Sequence, residues 1–135
     1  AKVSQEYVCA HDKQKTNYHY VLWYEDDRTI LVKHQHYPYS LPALVNPKWV
    51  YLSSLGKESE EFHKMIEQYL AQNLDIKLAF QPGTYQIKAG VEKLKGLYQR
   101  TEVLIVNKEE AEKILAMAHG SDIKPLLFAQ LKQAS

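Results

Sequence analysis

The sequence predicts an α/β protein in which a β-ribbon precedes a core of parallel strands alternating with helices. Three observations predict it. Residues 16–24 (TNYHYVLWY) and 28–34 (RTILVKH) are rich in aromatic and β-branched types and flank the turn-forming Glu25-Asp26-Asp27. After Pro47 short apolar runs alternate with helical stripes, the mark of a parallel, doubly wound sheet with right-handed crossovers. Finally, Val103-Leu104-Ile105-Val106 ends in Asn107, and an acid-rich helix starts at once.

The ribbon comes first. With Asp26 and Asp27 as its loop residues, Val21 faces Val32, Trp23 faces Ile30, His19 faces His34 and Asn17 faces His36. Tyr18, Tyr20 with Lys33, Leu22 with Leu31, and Tyr24 with Thr29 occupy the other face. Both faces are partly apolar. A two-stranded ribbon is marginal in isolation, so at least one face is expected to cover something.

The chain changes character near Pro47, which places a β-ribbon with its flanking segments at residues 1–46 and an α/β segment at 47–135. Trp49-Val50-Tyr51-Leu52 is the first core strand. Phe62, Met65, Ile66, Tyr69 and Leu70 then follow helical spacing, with Asn73 suited to the C-terminal cap. Residues 76–80 form the next strand, stopped by the Pro82-Gly83 turn. Val91, Leu94, Leu97 and Tyr98 make a shorter helical stripe. Residues 102–106 are the third strand, followed by a helix over 108–118 with Ala111, Ile114 and Leu115 inward. A last helix begins near Asp122, tolerates Pro125 in its first turn, and carries Leu126, Leu127 and Leu131. Three strands make a thin sheet whose edges need cover.

Composition excludes several classes. The 135 residues are enough to bury one core. Seventeen basic against sixteen acidic residues, net +1, imply no broad pull on nucleic acid. The longest apolar runs fall far short of a membrane span, and no basic-then-apolar signal segment opens the chain. The single cysteine, Cys9, cannot close an internal disulfide, which fits a reducing cytoplasm. Its start at Ala1 fits processing or excision from a longer chain.

Candidate chemistry is sparse. Asn107 and Glu110 form an Asn-x-x-Glu pair at a strand-to-helix junction, the place where open α/β sheets bind ligands. By spacing alone the pair is most simply a helix start, with Asn107 as N-cap and Glu110 completing a capping box. His19, His34 and His36 share one ribbon face, but no cysteine or closely spaced carboxylate joins them. They are therefore solvated or substrate-facing positions rather than a zinc site. No Gly-x-Ser-x-Gly elbow and no Walker loop is present.

Taken together, four segments resemble the PfkB, or ribokinase-like, sugar kinases. TNYHYVLWYEDDRTILV resembles the family's lid, and WVYLSSLG the strand that leaves the lid and re-enters the core. LAFQPGTYQ is similar to the strand followed by Asn-Pro or Asp-Pro, with Gln81 in the usual Asn or Asp place. TEVLIVNKEEAEKILA resembles the Asn-x-x-Glu segment almost residue for residue. The matches keep the family's order and cover nearly all of the chain.

The resemblance implies a ribokinase-like fold and transfer of the ATP γ-phosphate to a sugar or nucleoside hydroxyl. It implies ATP and Mg²⁺ as cofactors, with Asn107 holding a phosphate or ordered water and Glu110 acting on magnesium, through water. It makes His19 and His34 on the lid, and Ser53 and Ser54 after the first core strand, candidates for substrate contact. Some relatives carry an acidic sugar-binding residue where the serines stand, so the substrate stays open. Family lids often clasp a partner's lid, which makes a homodimer possible.

The departures are specific. The family's Gly-Ala-Gly-Asp stretch, which supplies the catalytic base and anion hole, does not occur here, nor do the Gly-Gly sugar-binding segment and the adenine-pocket strands. His119-Gly120-Ser121-Asp122 follows the Asn-x-x-Glu helix too closely to replace it. Gly120 there is a helix stop and Asp122 the next cap. The chain is thus incomplete relative to the family, its middle without either end, and is not expected to turn over alone. The alternative from another class is a non-catalytic α/β module that self-associates through its aromatic ribbon.

Overall fold

A computed structural model describes residues 4–33 and 35–116. His34, the end of the helix expected to reach 118, the His119-Gly120-Ser121-Asp122 turn and the last helix with Pro125, Leu126, Leu127 and Leu131 lie outside the described residues. The chain is mixed α/β and divides after Pro42 into two compact units.

The first unit holds β1 (Tyr18–Tyr24) and β2 (Asp27–Lys33), paired antiparallel. Glu25 and Asp26 form the loop, and Glu25 takes a left-handed φ of 52°. The sequence-based register is therefore corrected by two residues: Val21 faces Ile30, Trp23 faces Arg28, and His19 faces Val32 rather than His34. A shift of two keeps every side chain on its expected face, so alternation alone could not distinguish the two registers. Every residue of both strands is exposed. Arg28 lies over the Trp23 ring and Lys33 over the Tyr18 ring. Beyond the strands, Asn17 Oδ1 accepts from the Gln35 amide at 2.6 Å.

The second unit runs β3 (Trp49–Leu52), α1 (Glu60–Gln72), β4 (Lys77–Phe80), α2 (Thr84–Ala89), a 3-10 turn at Glu92–Leu94, α3 (Lys95–Arg100), β5 (Thr101–Leu104) and α4 (Lys108–Ile114). The strands are parallel in the order β3-β4-β5. Among the described residues this order runs in one direction without a reversal. Crossovers of one hand then place successive helices on one face, and α1 indeed packs against α3.

That face is the core. Leu52, Leu78 and Phe80 of the sheet are buried with Ile66 and Leu70 of α1, Leu94, and Leu97 and Tyr98 of α3. The Phe80 and Tyr98 rings meet edge-on at 5.4 Å, and burial pushes the Tyr98 phenol up to about 12. The opposite sheet face leaves Trp49, Tyr51, Val103 and Ile105 exposed.

Two helical expectations need correction. In α1 the inward positions are His63, Ile66 and Leu70, while Met65 points out. The stripe is rotated because His63 has a buried polar partner on α2. Instead of a turn leading directly to the 91–98 stripe, Pro82-Gly83 opens the helix α2. That stripe is split between the 3-10 turn and α3. Asn73 does end α1, its Nδ2 donating to Tyr69 O at 2.7 Å.

Candidate functional site

Parallel pairing brings the carboxyl ends of three strands to one edge. β3 exits into Ser53-Ser54, β4 into Gln81-Pro82-Gly83, and β5 into Ile105-Val106-Asn107. The ladder continues one step beyond the strands: Gln81 N donates to Leu52 O at 2.8 Å, and Ile105 N donates to Phe80 O at 2.9 Å. By strand spacing, the β3 and β5 exits lie roughly 10 Å apart, with the Gln-Pro-Gly turn between them.

Each of the last two exits starts a helix by the same i, i+3 device. At β5, Glu110 N donates to Asn107 Oδ1 at 2.9 Å while Asn107 N donates to Glu110 Oε2 at 2.9 Å. This is a complete capping box, as the spacing alone suggested. Only Oε2 of the Glu110 carboxylate takes part in it, and Glu110 is half-buried beside an exposed Asn107. At β4, Gly83 N donates to Gln86 Oε1 at 3.0 Å, and glycine has no side chain to reciprocate.

Gln86 is the residue sequence reasoning missed. It is 1% exposed, and its Nε2 lies 3.5 Å from Ser53 O, so one amide links the β3 exit to the β4 exit. The signal was available: Gly83 and Gln86 repeat the spacing of Asn107 and Glu110. The same Nε2 lies 3.5 Å from His63 Nε2, and desolvation by burial holds the His63 pKa below 6.5 against the opposing charge of Glu60. Gly83 is also the point of closest approach, since a Cβ there would meet Ser54 Oγ at 1.8 Å. Gln81 projects to the other side of the sheet, where the Tyr51 phenol donates to its Oε1.

Of the expected site residues, Ser54, Asn107 and Glu110 thus share one sheet edge, with Ser53 tied in through its carbonyl. His19 stands exposed on β1 in the other unit, opposite Val32. His36 is exposed as well. Among the described residues no group of three or more His, Cys, Asp and Glu side chains could hold a metal ion. For Mg²⁺ the site offers one carboxylate with an oxygen outside the cap, which fits a water-mediated contact and not a complete ligand set. Cys9 is exposed with a free thiol. No described helix is long and apolar enough to cross a membrane.

A hollow of about 180 Å³ lies between α1 and α2, with His63 and Gln86 in its wall. No protein-family model matches the chain, and no curated protein or solved structure shows significant similarity to it.

Proposed function

We propose that this chain is a portion of a cytoplasmic, ATP-dependent sugar kinase of the PfkB, ribokinase-like type. The reaction is attack of a sugar or nucleoside hydroxyl oxygen on the γ-phosphorus of ATP, with cleavage of the bond to the β-phosphate oxygen, release of ADP, and passage of the hydroxyl proton to an aspartate base that these 135 residues do not supply. The observation that carries the reading is the alignment of Ser53-Ser54, Gln81-Pro82-Gly83 and Asn107 along one carboxyl edge, in a segment that an antiparallel ribbon precedes in the sequence. Those are the segments whose sequences resemble the family's, in the family's order.

In this role Asn107 and Glu110 are accessory groups. The capping box fixes the carboxylate at the sheet edge, where the Glu110 oxygen outside the cap would hold magnesium through water and Asn107 would hold a phosphate or ordered water. ATP and Mg²⁺ supply the phosphoryl group and its charge neutralisation. Ser54, held against Gly83, and His19 on the ribbon are weaker substrate contacts. The Gly-Ala-Gly-Asp base and anion hole do not occur in these residues, so the chain is inactive alone. The test is transfer of γ-phosphate to a sugar and nucleoside panel by the full-length protein, with Glu110→Gln alongside. Activity unaffected by that substitution removes the magnesium role.

One observation favours a second reading. All fourteen residues of β1 and β2 are exposed, Tyr20, Leu22, Trp23 and Leu31 among them. A two-stranded apolar ribbon of this kind needs a partner surface, which makes self-association through it the alternative function. Sedimentation equilibrium discriminates: a strict monomer at high concentration opposes the ribbon as an interface, and dimerisation lost on Trp23→Ser supports it.

A further inference from the structure

The His63–Gln86–Gly83 chain has a direction that hydrogen-bond chemistry fixes. Gln86 Oε1 is committed to the Gly83 amide at 3.0 Å, so its Nε2 is the end that faces Ser53 O and His63 Nε2, each at 3.5 Å. An amide nitrogen only donates, so His63 Nε2 must accept, and the imidazole is neutral with its proton on Nδ1.

Protonation of His63 turns Nε2 into a donor facing another donor. Gln86 then has two choices. It can stay and face the imidazolium N–H with its own N–H group. It can also flip, which gives Oε1 to His63 but sets Nε2 against the Gly83 N–H and removes the acceptor that starts α2. Neither arrangement keeps all the bonds.

We propose that His63 is a pH-responsive positioning residue that grips the Gln81-Pro82-Gly83 turn when neutral and loosens it when protonated. The turn borders the ligand edge, and Ser54 rests on Gly83, so the device acts on the shape of that edge. Burial favours the neutral imidazole, which keeps the grip closed at neutral pH. The charged and titratable groups that share the hollow with His63 are Glu60, Lys64 and Glu67 from α1, Lys57 from the preceding loop, Tyr85 from α2, and Lys93 from the 3-10 turn. Glu60 alone among them is seen to raise the His63 pKa, and it does so less than burial lowers it. The proposal is independent of the kinase assignment, because its readout is a backbone amide and not activity.

The experiment is amide exchange by NMR on the full 135-residue chain, followed with the His63 ring signals from about pH 7.5 to about pH 5. The Gly83 protection factor is expected to fall roughly fivefold, the worth of one ordinary hydrogen bond, with the midpoint of the His63 titration. In His63→Gln that step disappears. A Gly83 protection factor that stays constant while His63 titrates overturns the proposal, as does an equal step in His63→Gln. Should that variant not fold, Gln86→Leu decides: Gly83 is expected to lack protection at every pH, and a surviving pH step there contradicts the relay.

Discussion

Asn107 and Glu110 hold each other across the first turn of α4, each amide bonded to the other's side chain at 2.9 Å. The pair is therefore structural whether or not it also serves a ligand, and the two roles separate by substitution. Asn107→Ala is expected to cost about 1 kcal/mol, the usual worth of a lost N-cap. Glu110→Gln keeps an oxygen acceptor for the Asn107 amide, and glutamine closes a capping box as glutamate does. Urea denaturation should show the first variant weakened and the second close to the parent. Equal loss in both would mean that the carboxylate charge, not the cap, stabilises the turn.

Gly83 is sterically fixed by Ser54. Its φ of −92° suits any residue, so the constraint is space and not conformation. An added methyl would lie 1.8 Å from Ser54 Oγ and 2.6 Å from Ser54 Cβ, and the second contact cannot be relieved by rotating the hydroxyl. Gly83→Ala is expected to destabilise by about 1–3 kcal/mol, as overpacking does. Adding Ser54→Gly should recover part of that loss. A double variant no better than the single one would place the cost elsewhere.

Arg100 closes the amino-terminal side of the sheet. Its Nη2 reaches the carbonyls of Asn73, Leu74 and Ile76 at 3.3, 3.3 and 3.0 Å, so one guanidinium holds the whole α1–β4 connection. Arg100→Ala should cost roughly 1.5–3 kcal/mol, the range for hydrogen bonds to a charged group. Arg100→Lys should recover a part only, because an ammonium is more strongly hydrated than a guanidinium and costs more to draw out of water. The same denaturation series measures both, and an Ala variant within error of the parent would contradict the staple.

Stability should fall on mild acidification. The His63 pKa is depressed in the folded protein, mainly by desolvation, below its unfolded value of 6.5. Below that value the unfolded chain takes up the proton first, so protonation pulls the equilibrium toward unfolding. The stabilisation from neutral His63 is thus present above about pH 6.5 and lost as pH drops from there through the folded pKa. Denaturation midpoints between about pH 7.5 and about pH 5 should show that decline, and His63→Gln should flatten it. A decline as steep in the variant would assign it to other groups.

Much of this was legible in the sequence, and the misses have physical causes. Runs such as Trp49–Leu52, or the strand leading to Phe80, are short, apolar and bounded, so a strand was the natural expectation. The capping box at Asn107 followed from spacing. The ribbon register did not, because a two-residue shift leaves the pattern of inward and outward side chains unchanged. His63 and Gln86 were invisible to a search for apolar stripes: both are polar, and the contact between them exists only once α1 and α2 are packed. The uniform direction of strand order is likewise a tertiary fact, set by which edge each new strand joins.

The central claim is that the aligned strand ends form part of a sugar-kinase site, with Glu110 acting on magnesium. The most direct measurement is MgATP-dependent phosphorylation of a sugar and nucleoside panel by the full-length protein, comparing parent with Glu110→Gln. The account predicts transfer to a hydroxyl of at least one member of the panel. It also predicts a loss of roughly 10- to 100-fold in the variant, the size expected when an outer-sphere metal partner is removed, with stability unchanged. No transfer to any acceptor, or transfer that Glu110→Gln leaves untouched, would contradict it.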